Sequence, residues 1–432
     1  MRTHIIMVPG FAGFDALGQL EYYSGVTPIF QSWRQSARGQ PVLHYFDNLP
    51  TAGVATRAKA LRKYLAKRVA RAEFQPGDRL CLVGHSTGGL DIRRLILDLQ
   101  QDSGPDAVDG PPNVAREVSP GVLLEMLARV VFLSVPQLGT NIADWVRAHR
   151  IERKIALAQI RQSVSAAAHL SSVDQLEAWV AGKLAAFTGA DLLRAAQDAV
   201  SEMDTRARPD ASGAADARAA AAALSLWLRN IDADFNALDD LCSEAQQDSQ
   251  SPAHRGREGR DEELALWARG SVRTLSFATL GRRAFRFEPG QAVPAWRLWS
   301  PSSWAELEQG AGGCDISYRL SYRACAGGPF QAAPDVRYPD LLPDGSSAPA
   351  IERWDNDGIV NTASMCWPNG AETRLLRADH GDIIGHFELV EAEPGSGRKY
   401  HTYDLLGSDS RATFERATLE RVWSEVFEFC VS

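Results

Sequence analysis

The sequence predicts an α/β fold, a mostly parallel sheet flanked by helices and carrying a large helical insertion. Three observations predict it. Short apolar runs alternate with amphipathic stretches through residues 1–140, the pattern of strands joined by crossover helices. The run Val130–Val135 (VVFLSV) is continuously apolar, as a central parallel strand covered on both faces must be. The alternation stops at Asn141 and sheet pattern returns only at Val272.

Taken in order, Ile5–Val8 reads as a first strand ending at Pro9-Gly10, and Val42–Phe46 as a second. A basic amphipathic helix follows from Thr56 to Ala72, with its arginines on a solvated face. Arg79–Val83 is a third strand, and Leu90, Ile92, Leu95, Ile96 and Leu99 form the apolar stripe of the helix after it. Asp102–Pro120 is a Gly/Pro/Asp-rich loop. Between 141 and 270 the chain reads as helices, one with Leu176, Trp179, Val180, Leu184 and Phe187 on a face, another with Leu224, Leu228, Ile231, Phe235 and Leu238. Breaker-rich links fall at Arg206–Gly213 and Ser243–Arg260. Most of those apolar residues are expected to pack on the body, and the unit as a whole to act as a lid over a substrate pocket. Its underside also offers transient contact with a lipid interface. Val272–Leu280 restarts the sheet, 281–350 reads as irregular loops at the mouth of the site, and Ser410–Phe429 as the last helix. The expected organisation is a core of 1–140 and 271–432 with a cap of 141–270 inserted in it.

Composition narrows the class of partner. The 432 residues are 45% hydrophobic and 23% charged, which excludes wholesale disorder. A net charge of −8 leaves no basic surplus to neutralise phosphates, which argues against nucleic acid. No apolar run reaches membrane-spanning length. Met1 leads straight into strand pattern without a signal-peptide core, so the expectation is a cytoplasmic protein, or a secreted one whose leader has been removed. Six scattered cysteines with no C-x-x-C pair argue against metal-cluster chemistry. Cys81 reads as a buried small hydrophobe; Cys314 and Cys325 are close enough in sequence to pair but would stay reduced in a cytoplasmic chain.

The chemistry-bearing motif is Gly84-His85-Ser86-Thr87-Gly88, at the exit of the third strand and the entrance of a helix. A serine on so sharp a turn projects its hydroxyl from the top of the sheet, and the flanking glycines are needed where side chains would collide. The competing reading is a serine that merely caps the helix. A nucleophilic serine needs a base, and the base a carboxylate that fixes its tautomer. Of the nine histidines, His380, His386 and His401 follow the return of sheet pattern. His380 stands on a polar turn between Leu375-Leu376 and Ile383-Ile384 and is the first choice, with His386 second. His85, next to the serine, reads as packing. Asp357, in Trp354-Asp355-Asn356-Asp357-Gly358-Ile359-Val360, is the candidate acid and Asp355 the fallback. Asn-Asp-Gly is also an ordinary turn sequence. The backbone N–H groups of Phe11, in the loop after the first strand, and of Thr87 are the candidate oxyanion donors.

These segments, with Ser134-Val135-Pro136-Gln137-Leu138-Gly139-Thr140, occur in the order of a known family. The chain resembles the bacterial triacylglycerol lipases and esterases of the α/β-hydrolase superfamily over roughly 1–140 and 271–390, with Asn356–Met365 looking especially like their acid-bearing loop. The resemblance implies an α/β-hydrolase fold, Ser86, Asp357 and His380 as a catalytic triad, and cleavage of acyl esters through an acyl-enzyme without an organic cofactor. Such lipases often carry a structural calcium held in part by an acidic residue two positions after the histidine, which Asp382 matches; the competing reading of Asp382 is a salt-bridged surface aspartate, and Asp335 and Asp340 are the candidates for a second carboxylate. Pro9 stands where many members have histidine, and the family is largely secreted. The same machinery serves thioesterases, acyltransferases and polyester depolymerases, and the alternative outside enzymes is a ligand-binding receptor on a hydrolase scaffold.

Overall fold

The computed structural model describes residues 1–11, 16–17, 20–37, 40–103, 118–149, 236–242, 272–283, 316–326, 351–352, 354–366, 373–387, 389–392, 399–402 and 414–432, with isolated positions at 263, 265, 267, 270, 314, 404 and 406–408. Six strands form one sheet: β1 (Thr3–Val8), β2 (Pro41–Tyr45), β3 (Arg79–His85), β4 (Leu127–Leu133), β5 (Arg273–Thr279) and β6 (Thr373–Leu376). Every pairing is parallel, and the spatial order is β2-β1-β3-β4-β5-β6. The order reverses between β1 and β3, and open parallel sheets bind ligands at the carboxyl ends of the strands flanking such a reversal. The first loop and the serine turn both leave from this point.

Strand periodicity sorts side chains onto two layers. Ile5, Met7, Cys81, Val83, Val131 and Leu133 face one layer with Tyr23, just before helix α1 (Val26–Arg34), with Phe30 of α1, and with Trp423, Val426 and Phe427 of α8 (Arg416–Val431). Ile6, Val8, Leu80, Leu82, Val130 and Phe132 face the other, against α2 (Val54–Ala70), α3 (Thr87–Asp102) and α4 (Pro120–Met126). This explains the uninterrupted apolar runs, since consecutive residues of each strand are covered on opposite sides. The serine helix α3 buries the stripe read from sequence, all five residues being 2% exposed or less.

Of the inserted region the structure describes α5 (Asn141–His149), α6 (Ala237–Asp240) and a few single residues; the two long apolar faces centred on 176–187 and 224–235 lie outside the described residues. Leu238, Leu241 and Cys242 pack into the α2/α3 layer, as expected of residues serving the body. Glu263 ties the insertion to the core, both carboxylate oxygens meeting Arg93 of α3 at 2.7 and 2.9 Å with both residues fully buried. Within 281–350 the loop expectation is corrected for one stretch. Residues Ile316–Ala326 form helix α7, whose Tyr318 and Tyr322 pack around Cys314 under the Asp357 loop. Those tyrosines are spaced one turn apart in a polar stretch, so no apolar stripe announced the helix. All six cysteines are free and buried. No described helix is long and apolar enough to cross a membrane.

Candidate active site

Ser86 is held between β3 and α3 at φ 52° and ψ −131°, a left-handed φ rarely adopted by a residue with a side chain. Such strain costs about 1–3 kcal/mol and survives where the surroundings over-determine it. Here they do so by close approach. A Cβ on Gly84 would lie 2.7 Å from the backbone of Gly89, and one on Gly88 would run into the carbonyl of Val8. The first loop is equally tight, since a Cβ on Gly10 would sit 2.6 Å from the Ser86 Cβ. The Ser86 side chain makes no capping hydrogen bond to the helix that follows it, so the capping reading fails. Thr87 opens that helix, where the first N–H groups have no intrahelical acceptor.

Asp357 and His380 are brought together by β5 and β6. His380 Nδ1 stands 2.7 Å from Asp357 Oδ2, and the backbone N–H of His380 donates to the Asp357 carbonyl at 3.0 Å. An ionised carboxylate only accepts, so Nδ1 carries the proton and Nε2 is left as the basic nitrogen. Asp357 is more heavily bound than a free turn side chain would be. Its Oδ1 accepts from the N–H groups of Ile359 at 3.0 Å and Val360 at 2.7 Å, and its Oδ2 also accepts from the Thr279 hydroxyl at 2.6 Å. Gly358, at φ 96°, turns the chain so that these amides point back at the carboxylate. The turn presenting His380 is built by Asp379, whose Oδ1 accepts from Gly381 and Asp382 and whose Oδ2 accepts from Ser408. Burial, then the neighbouring Asp382, pushes the Asp379 carboxyl well above the usual carboxylate range. From below, the indole N–H of Trp423 on α8 holds the carbonyl of Ile383 at 3.0 Å.

His85 joins the serine turn to the histidine turn and is more than packing. Its Nε2 lies 3.0 Å from the His380 carbonyl, its Nδ1 2.7 Å from the Tyr22 hydroxyl, and its ring centroid 4.7 Å from that of His380. A carbonyl accepts only, so Nε2 of His85 donates and Nδ1 must accept from Tyr22; the Tyr22 oxygen in turn accepts from Gly10 N–H at 2.8 Å. Burial holds the His85 imidazole well below its ordinary range, so it stays neutral in this role. The chain thereby locks the first loop, the serine turn and the histidine turn to one another. Among the described residues Ser86 Oγ makes no hydrogen bond to His380; the contact between the two turns runs from His85, next to the serine, to the His380 carbonyl and ring. Catalytic hydrogen bonds are often long before substrate arrives.

The other candidates have separate employment. His386 donates from Nε2 to the Tyr22 carbonyl at 2.9 Å, and burial drops its imidazole to about 4, which unfits it as a base near neutrality. Asp355 is taken by a two-pronged ion pair with Arg283 at 2.8 and 2.6 Å. The Asp382 carboxylate accepts from the Asp379 N–H at 2.7 Å. Among the described residues no three or more His, Cys, Asp or Glu side chains are arranged to hold a metal ion; Asp335 and Asp340, the other carboxylates of the expected calcium site, lie outside the described residues. Phe11 packs against the α2/α3 layer at the end of the described first loop. Sequence reasoning passed over Tyr22 and Thr279, noted Ser134 only within the segment Ser134–Thr140, and placed Arg57 on a solvated face; that last expectation is corrected, because Arg57 is fully buried, its charge met by Asp91 and the loop carbonyls.

No family model and no curated protein matches the chain. Among solved structures it is similar to lipase 1 from Pelosinus fermentans, with 14% identity, 99% of this chain and 97% of that one covered, and a TM-score of 0.46. It is also similar to the metagenomic carboxyl esterase MGS0156, with 14% identity, 99% and 75% covered and a TM-score of 0.39. A third likeness, to the mature Bacillus licheniformis lipase BlEst2, has 16% identity, 33% and 44% covered and a TM-score of 0.23. The parallel sheet reversing at β1/β3, the strained serine turn between β3 and α3, and the acid and histidine loops after β5 and β6 give this chain the α/β-hydrolase fold.

Proposed function

We propose that the protein is a serine carboxylic-ester hydrolase of the lipase or esterase type. The observation that carries the reading is the 2.7 Å pair of His380 Nδ1 and Asp357 Oδ2 beside a serine locked at φ 52°. Ser86 Oγ attacks the ester carbonyl while His380 Nε2 takes its proton, and the resulting imidazolium stays paired with Asp357. The N–H groups of Phe11 and Thr87 bind the oxyanion, each such donor contributing about 3 kcal/mol to transition-state stabilisation. His380 then returns the proton to the departing alcohol, leaving Ser86 acylated. Water deprotonated by His380 attacks the acyl group, and collapse releases the carboxylic acid and regenerates Ser86. The chemistry requires no organic cofactor.

The test is turnover of p-nitrophenyl esters of short and long chain by the full-length protein and its Ser86→Ala variant, with phosphonate labelling followed by mass analysis. The reading expects turnover lost in the variant and a single label on Ser86. Equal turnover in both proteins, or a label elsewhere, sinks it.

A further inference from the structure

We propose that Thr279, backed by Ser134, is a positioning residue that sets how strongly Asp357 pulls on His380; this rests on the ester-hydrolase reading above. The two oxygens of Asp357 are held differently. Oδ1 is satisfied within its own turn by the N–H groups of Ile359 and Val360. Oδ2, the oxygen that meets His380, receives one further donor, the Thr279 hydroxyl at 2.6 Å from the carboxyl end of β5. The Met365 sulfur also lies 3.3 Å from that hydroxyl, but a thioether is a weak acceptor beside a carboxylate. The proton therefore points at Asp357, which leaves the Thr279 oxygen free to accept.

It accepts from Ser134, whose Oγ is 2.9 Å away. Ser134 follows β4 at φ 49°, in the left-handed region, and its N–H is tied to the Phe277 carbonyl at 3.0 Å. A non-glycine residue kept in that conformation by its neighbours marks a place where side-chain direction matters. Ser134, Thr279 and Asp357 are all buried, so water does not substitute for a missing donor. The result is a one-way chain: Ser134 O–H to Thr279, Thr279 O–H to Asp357 Oδ2, and His380 Nδ1–H to the same oxygen. Donation from the threonine stabilises the carboxylate as an anion and shares the charge otherwise spent on the imidazolium. Ser134 strengthens it by polarising the hydroxyl. The other ionisable groups around the pair are His85 against the His380 ring, Asp355 on Arg283, Asp379 in the histidine turn, and Tyr318 and Cys325 beneath the acid loop.

Thr279→Val keeps shape and removes the hydroxyl; Thr279→Ser restores it. Full-length wild type and both variants are compared by pH–rate profile and by the downfield proton resonance of His380 Nδ1–H, assigned by its loss in His380→Asn. The expectation for Thr279→Val is a fall in kcat/KM of about tenfold, carried by kcat, with the acid limb moved up by about half a unit and the resonance displaced. Thr279→Ser returns all three to wild type, and Ser134→Ala moves them a smaller amount in the same direction. An unmoved acid limb and resonance in folded Thr279→Val overturn the proposal, as does a folded Thr279→Ser that behaves like valine. Should Thr279→Val fail to fold, Ser134→Ala decides by the same two readouts. The resonance needs no ester turnover, so a wild type without activity refutes the hydrolase reading while the resonance still judges the chain of donors.

Discussion

Arg57 of α2 reaches the carbonyl of Gly10, one of its terminal nitrogens lying 3.1 Å from that oxygen and 2.8 Å from the carbonyl of Pro9. Its Nε faces Asp91 at 2.9 Å, and both side chains are fully buried. In a trans peptide the N–H points opposite the C=O, so turning the Gly10 carbonyl to the guanidinium aims the Phe11 N–H away from it. Arg57 thus sets the direction of a candidate oxyanion donor. Arg57→Lys keeps the charge and loses the fork; steady-state kinetics on p-nitrophenyl esters are expected to show kcat down about tenfold at little changed KM. Arg57→Ala strands Asp91 and is expected to lose about 3–5 kcal/mol in chemical denaturation.

The glycines of the serine turn differ from helix glycines elsewhere in what surrounds them. A Cβ on Gly88 meets the backbone carbonyls of Val8 and Pro9, whereas one on Gly121 in α4 finds nothing nearer than the Ser119 hydroxyl at 3.7 Å. Gly88→Ala is expected to cost about 1–3 kcal/mol and to slow phosphonate labelling of Ser86. Gly121→Ala is expected to be neutral or to gain about 0.5–1 kcal/mol. Equal melting temperatures for the two variants would contradict the packing described.

Acid is expected to destabilise the fold through His386. Its imidazole titrates near 6.5 when unfolded and is dropped by burial to about 4 in the fold. The unfolded chain therefore binds the extra proton first, and stability falls as pH drops from about 6.5 to 4, by on the order of 3 kcal/mol for this fully buried group. Asp91 works in the opposite sense. Burial raises it to about 6, so its contribution is present below 3.8 and lost as pH rises through 6. Comparing wild type with His386→Gln cancels Asp91, because glutamine retains a donor for the Tyr22 carbonyl without titrating. Denaturation curves at pH 7 and pH 4 should diverge by the histidine's share.

The buried pair of Arg93 and Glu263 also receives Gln137, whose carbonyl and side-chain oxygens both lie 3.0 Å from an Arg93 terminal nitrogen. Glu263→Ala leaves a buried guanidinium without its carboxylate and is expected to cost about 3–5 kcal/mol. Arg93→Met combined with Glu263→Leu is expected to recover most of that, since two apolar residues leave no stranded charge. A double-mutant cycle by chemical denaturation reads the coupling directly.

How much of this was visible in the residue string follows from what each feature depends on. β1, β3, β4 and β5 announce themselves because burial on both faces demands apolar runs. β6 is only Thr373–Leu376, too short to show a period, and α7 hides because its buried residues are tyrosines and small or polar ones: Tyr318, Tyr322, Arg323, Ala324, Cys325 and Ala326. Ser86, Asp357 and His380 stand on turns whose glycines and polar residues are local and therefore readable. Thr279, Ser134, Tyr22 and Arg57 act through hydrogen bonds to residues far along the chain, and no spacing rule encodes such partners. His85 reads as packing for the same reason: its adjacency to the serine is local, but its donor and its acceptor lie at Tyr22 and His380.

The strand order also fixes a sequence of events during synthesis. The serine turn and the strands β1 to β4 leave the ribosome together, but β4 meets its outer neighbour β5 only after the whole stretch from Ser134 to Val272 has emerged. Until then the apolar edge Val130–Leu133 has no strand to pair with, and a nascent chain in that state is exposed to association with its copies. Asp357 and His380 arrive later still, after β5 and β6. A newly made molecule therefore carries Ser86 before it carries its candidate partners, and a chain paused within the insertion is expected to leave Ser86 unlabelled by a phosphonate.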